Sequence, residues 1–171
     1  MNRIARAAFT LVEIMIVVGI LALLAAIAIP NVLRGRTNAN ESAAISNLRI
    51  LLSALEMYRS VNNIYPDTTT WQTAMYGADC APGTQPVPDF GPQSFCIGMT
   101  GQVVQGYLWT YAGAAAPATT FTILAVPGTP GITGTRSFYT DQTTVLRHCT
   151  GTGTAAGMVD DARIDEPVLG C

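Results

Sequence analysis

The sequence predicts an α+β protein: a long N-terminal α-helix, hydrophobic in its first half and amphipathic in its second, packed on a small antiparallel β-sheet head with disulfide-closed loops. Three observations predict it. The stretch from Ile14 to Leu33 carries no charged residue. Beyond Pro30 the apolar residues recur at the spacing of three and four that one helix face requires. After residue 65 that periodicity ends, short β-like runs alternate with Gly and Pro, and all four cysteines follow.

The chain has 171 residues, enough for one modest core. Apolar residues make up 49% and charged ones 12%, which is the reverse of a disordered composition. The nine basic residues are all Arg, and against eleven acids they leave a net charge of −2. A nucleic-acid binder carries a basic footprint that is missing here, so no direct nucleic-acid contact is expected. With one His, acid–base constellations are scarce too. Composition points away from an enzyme.

The uncharged stretch is about 20 residues long, and as a helix spans ~30 Å, the hydrocarbon thickness of a bilayer. Arg3 and Arg6 precede it and orient the N-terminus toward the cytoplasm. Three readings compete. Ala26-Ile27-Ala28 matches the small-residue cleavage site of a secretory signal peptide, which would leave a chain beginning at Ile29. A plain signal anchor holding a periplasmic binding domain is the second. Both leave Glu13 unexplained, since a carboxylate in an apolar helix costs about 2.5–3.5 kcal/mol and is there to meet a partner.

The third reading supplies the partner. Ala8-Phe9-Thr10-Leu11-Val12-Glu13 resembles the processing signal of type IV prepilins and pseudopilins. The resemblance implies a cut between Ala8 and Phe9 by a prepilin peptidase and N-methylation of Phe9. It places Glu13 at the family's acidic fifth position and Pro30 at its helix-bending proline. Ala8 departs from the Gly that more often precedes the cut. Phe9 and Glu13 share one helix face. A neighbouring helix would set its Glu13 against the new amine of Phe9, neutralising two charges that are costly in hydrocarbon. The alternative is that Glu13 pairs with its own N-terminus or snorkels to headgroups.

In the amphipathic half, Ser42, Ser46, Arg49, Ser53, Glu56 and Ser60 mark a polar stripe. Ala44, Leu48, Leu51, Leu55 and Tyr58 mark the apolar one. The helix is expected to stop at Asn62-Asn63, with a kink or melted turn between Pro30 and Gly35. The segments are thus 1–8 as leader, 9–33 as membrane and filament-core helix, 34–62 as amphipathic helix, and 63–171 as head. In the head, strands are expected at Gln105–Ala112, Phe121–Val126, Arg136–Thr140 and Thr144–Arg147. Trp71 to Tyr76 reads equally as short helix or connection, and Pro82 to Pro92 as a proline-rich loop. Tyr58, Asn62-Asn63 and Tyr65-Pro66 resemble the helix end of pilins. Ser137-Phe-Tyr-Thr-Asp141 with Val145-Leu-Arg147 resembles the hairpin of major-pseudopilin-like pilins.

Cys80, Cys96, Cys149 and Cys171 read as two disulfides in an oxidising compartment, with three connectivities open. The sequential pairing is favoured, each bridge closing a short loop. No closely spaced pair suits zinc. His148 adjoins Cys149, but neighbours on a strand point apart, so His148 is expected at the surface. Asp160, Asp161, Asp165 and Glu166 form an acidic cluster. Calcium is a weak candidate for it, and a solvated loop is the preferred reading; no other cofactor is expected. The resemblance implies a structural subunit of a type IV pilus-like extracellular filament, a homopolymer of identical subunits. Before assembly it would sit in the inner membrane, served by a platform and an ATPase. The alternative is the major pseudopilin of type II secretion, in a periplasmic filament.

Overall fold

The computed structural model describes residues 9–77, 80, 90–96, 99–115, 117–155, 157–158, 162–167 and 169–171. It divides into two units, one ending at Arg36 and one running from Thr37 to Cys171. Helix α1 covers Leu11–Asn62 and so belongs to both.

In the first unit α1 is helical through Pro30 and Gly35, so the melted turn expected there is not present. A proline removes only its own N–H from the ladder. At the same level the Asn31 side-chain amide donates to the Ile27 carbonyl at 3.1 Å.

The second unit is the head. Its stretch of α1 buries Ala44, Leu48, Leu51, Leu52, Ala54, Leu55 and Tyr58, which contains the predicted apolar stripe. The helix ends at Asn62 because Asn63 turns left-handed (φ 60°) and its N–H closes on the Arg59 carbonyl at 2.7 Å, a termination Asn tolerates. Asp67 shapes the next turn. Its Oδ1 accepts from the Thr69 hydroxyl and from the N–H groups of Thr70 and Thr69, which holds its carboxyl at about 2. Trp71–Tyr76 is a helix, α2, and Gln93–Phe95 is a 3₁₀ turn.

Six strands follow in sheet order: β1 (Gln102–Val104), β2 (Tyr107–Gly113), β3 (Phe121–Pro127), β4 (Arg136–Asp141), β5 (Arg147–Thr150) and β6 (Leu169–Gly170). Neighbours are antiparallel as far as β5, whereas β6 joins β5 in parallel. Strand β1 was not expected. It is short, and the hairpin turn after it places Gln105 (φ 52°) and Gly106 (φ 80°) in the left-handed region, a pair suited to strand twist but weakly signalled by Gln.

The last long strand lies three residues beyond its predicted place. Thr144 is left-handed and Asp141 Oδ1 accepts from the Thr143 N–H and hydroxyl. That tight turn delays pairing until Arg147 faces Tyr139. As a result β5 carries His148 and Cys149.

The sheet face toward α1 carries Tyr107, Trp109 and Tyr111 from β2, Phe121, Ile123 and Ala125 from β3, and Phe138 from β4, all in the main core. Trp109 faces Ala125, which faces Phe138. This large–small–large sequence lets two aromatic groups interdigitate across three strands. Tyr139, Cys149 and Met158 form a second, small core on the other face, so β4 is covered on both sides.

Candidate functional site

Two sets of residues carry chemistry, one in each unit. In the first, the side chains of α1 from Leu11 to Leu33 are apolar except for Glu13 and Asn31, and the apolar ones lie open: Leu11, Met15, Leu23, Ile27 and Val32 are all more than half exposed. Among the described residues this is one helix long and apolar enough to cross a membrane. Phe9, at its head, is 78% exposed. The carboxylate in this surface is Glu13.

Glu13 is tied to its own helix start by a reciprocal pair that the sequence reading missed. Thr10 caps α1: its hydroxyl accepts the Glu13 N–H at 3.2 Å, and Glu13 Oε2 accepts the Thr10 N–H at 2.9 Å. Oε2 also accepts the Thr10 hydroxyl at 2.8 Å. This is a capping box, in which a Thr and a Glu three residues on satisfy each other's orphan backbone donors. The signal was present as Thr10-x-x-Glu13. Pro30 lies inside the same helix, seventeen residues beyond by sequence number. Ala8 falls outside the described residues.

In the head, α1 grips the β3–β4 connection with polar groups before its apolar stripe begins. The Thr37 hydroxyl donates to the Ile132 carbonyl at 3.1 Å, and the Asn40 amide to the Thr133 carbonyl at 2.9 Å. Glu41, only 5% exposed, accepts the Thr135 N–H (2.8 Å) and hydroxyl (2.6 Å) on Oε1, and Arg136 Nε–H on Oε2 at 2.8 Å. Burial pushes its carboxyl up, but the Thr135 bonds and the Arg136 guanidinium outweigh this and hold it below its ordinary value. Glu41 was invisible in the sequence because its partners lie more than ninety positions away.

His148 is buried, not at the surface as expected. Arg136 Nη1–H reaches His148 Nδ1 at 3.2 Å, and His148 Nε2 meets the Glu166 carbonyl at 3.1 Å. A guanidinium only donates and a carbonyl only accepts, so Nδ1 serves as the acceptor and Nε2 as the donor. Both ring nitrogens are satisfied, which is what permits burial. Cys149, beside it, is bonded to Cys171 and holds no thiol.

The disulfides join Cys80 to Cys96 and Cys149 to Cys171, the sequential pairing. The second closes a loop of sequence separation 22 and holds the chain end where the Cys171 N–H meets the Thr150 carbonyl. Replacing both Cys149 and Cys171 by Ala is expected to cost about 3 kcal/mol in denaturant unfolding. A loss below about 1 kcal/mol would mean that β5–β6 pairing holds the tail unaided.

Of the acidic cluster, Asp160 and Asp161 lie outside the described residues. Asp165 is exposed, and Glu166 Oε2 accepts the Arg163 N–H at 2.9 Å. Among the described residues no three His, Cys, Asp or Glu side chains converge as a metal site.

An exposed apolar stretch of α1 with one capped carboxylate, followed in the chain by a disulfide-closed α+β head, is a pilin-like architecture. The family model described as the prokaryotic N-terminal methylation motif matches residues 3–29. The chain is similar to proteins named type II secretion system core protein G. That of Pectobacterium carotovorum is 40% identical over 80 residues, covering 47% of this chain and 49% of the relative. That of Vibrio cholerae is 42% identical over 60 residues, covering 35% and 41%. That of Pseudomonas aeruginosa is 40% identical over 68 residues, covering 40% and 48%. The chain thus spans about half the length of the curated relatives it matches. No solved structure matches it. Motif and relatives together support the type IV pilin and pseudopilin family for this chain.

Proposed function

We propose that the chain is a structural subunit of a type IV pilus-like filament. A prepilin peptidase removes residues 1–8, cutting between Ala8 and Phe9, and the amine of Phe9 is methylated. The apolar segment then anchors the subunit in the inner membrane with the head outside the cytoplasm. An assembly platform and ATPase transfer it to a homopolymer, where residues 9–33 exchange lipid for the same segment of other copies. Pro30 lies in that segment and belongs to the packing surface.

The observation that carries this reading is Glu13, a carboxylate in the otherwise uncharged stretch of α1 up to Leu33, whose apolar side chains lie open. Such a group is tolerated where it meets an opposite charge, and the amine made at Phe9 by cleavage is one. In a filament, Glu13 of one copy against the amine of the next sets the axial step.

A second reading is that the filament is a pseudopilus of type II secretion, confined to the periplasm. The names of the relatives favour it. Intact mass and N-terminal sequencing of sheared surface material test both. A chain beginning with N-methylated Phe9 in that fraction supports the surface filament. The same chain in the envelope alone, with secretion lost on deletion, supports the pseudopilus. A chain beginning at Ile29 overturns both. Glu13→Ala is expected to leave trimming intact and to lower the sedimentable assembled fraction at least tenfold, since even ~1.4 kcal/mol lost per contact is a factor of ten.

A further inference from the structure

The two oxygens of Glu13 are unequally used. Oε2 takes both the Thr10 N–H and the Thr10 hydroxyl, while no described residue donates to Oε1. The donors that hold Oε2 come from Thr10 alone. The Thr10 N–H belongs to the peptide joining Phe9 to Thr10, so the arrangement does not depend on residues 1–8. The Thr10 hydroxyl stands at the centre of the box, donating to the carboxylate while accepting the Glu13 N–H. Without it the carboxylate is held by the Thr10 N–H alone, and three rotatable side-chain bonds give it more freedom to turn over the apolar surface or toward headgroups.

We propose that Thr10 is a positioning residue for assembly: its hydroxyl pins Glu13 through Oε2 so that Oε1 stands outward, ready to accept an N–H from the amine of a second copy. This rests on the filament reading above. The two roles of the carboxylate are compatible because they use different oxygens, so a subunit need not break its own cap to join the polymer. The hydroxyl matters as a donor and acceptor together, which Ser reproduces and Val, of nearly the same shape as Thr, does not.

The test compares full-length wild type, Thr10→Val, Thr10→Ser and Glu13→Ala in the native host, measuring N-terminal trimming, membrane level and the sedimentable assembled fraction. The expected result is that T10V is trimmed and reaches the membrane normally but assembles at least fivefold less, and that T10S restores assembly. T10V assembling like wild type while E13A fails would overturn the positioning role and leave the filament reading standing. E13A assembling like wild type would overturn the reading and the proposal with it. T10S failing as badly as T10V, or T10V escaping trimming, would assign Thr10 a different role and overturn the proposal.

Discussion

Replacing Glu41 by Leu is expected to destabilise the head by about 1–3 kcal/mol, because it removes the acceptor shared by the Thr135 donors and the Arg136 guanidinium. The Glu41 side chain is 6% exposed and that of Arg136 29%, so water replaces the lost partner only in part. Loss of the carboxylate also leaves the β3–β4 connection tied to the start of the head's helix by the Thr37 and Asn40 bonds. Thermal unfolding of the full chain in detergent reads the change. The effect carries a pH signature. The folded-state pKa of Glu41 lies below its ordinary value. Its contribution is therefore complete above about pH 5 and is lost as pH falls through the unfolded value near 4.3 toward the lower folded one. The gap between wild type and the variant should narrow on acidification from pH 7 to pH 3. A gap that stays constant would mean that shape, and not charge, accounts for the loss.

Trp109→Ala is expected to cost about 3–5 kcal/mol, the range for emptying a large aromatic site in a core. Trp109 is fully buried, meets Phe95 edge-on with ring centroids 4.9 Å apart, and faces Ala125 across the β2–β3 pair. In a chain of this size each kcal/mol shifts the melting temperature by about 2–4 °C, so a drop on the order of 10 °C is the outcome to look for. The neighbouring site gives the opposite test. Ala125 is the small member of the Trp109–Ala125–Phe138 row, and Ala125→Leu should overpack it at a cost of about 1–3 kcal/mol. A neutral Ala125→Leu would show that the two aromatic groups are less tightly packed than their register implies.

Much of the architecture was legible because it rests on local patterns. An uncharged run such as Ile14 to Leu33 needs no partner to announce itself. The apolar stripe through Leu48, Leu51 and Leu55 follows from helix geometry alone, and Asn62-Asn63 stops the helix by its own backbone preference. Strands β2 and β3 were legible for the same reason, since their buried residues alternate, whereas β4 is buried on both faces and shows no such alternation. The misses have separate causes. Strand β1 depends on a turn whose Gln105 is left-handed, and β5 is placed by Asp141 closing a turn before it. His148 resembled a surface residue because nothing near it in sequence could satisfy a buried imidazole.

The sequence by itself determined the long helix, the place of the single carboxylate of its apolar stretch at Glu13, the α+β class and the choice of cysteines. Each of these is a matter of residue type repeated at short spacing. Only the tertiary structure decided that Glu41, Arg136, His148 and the Glu166 carbonyl form one polar chain from helix to sheet to C-terminal turn, with Glu41 and His148 buried in it. It also decided that the strand bearing Cys149 begins at Arg147. The physical reason is that a buried polar group is stable only when distant donors and acceptors arrive together. That condition is met by the folded chain and is written in no local window of the sequence.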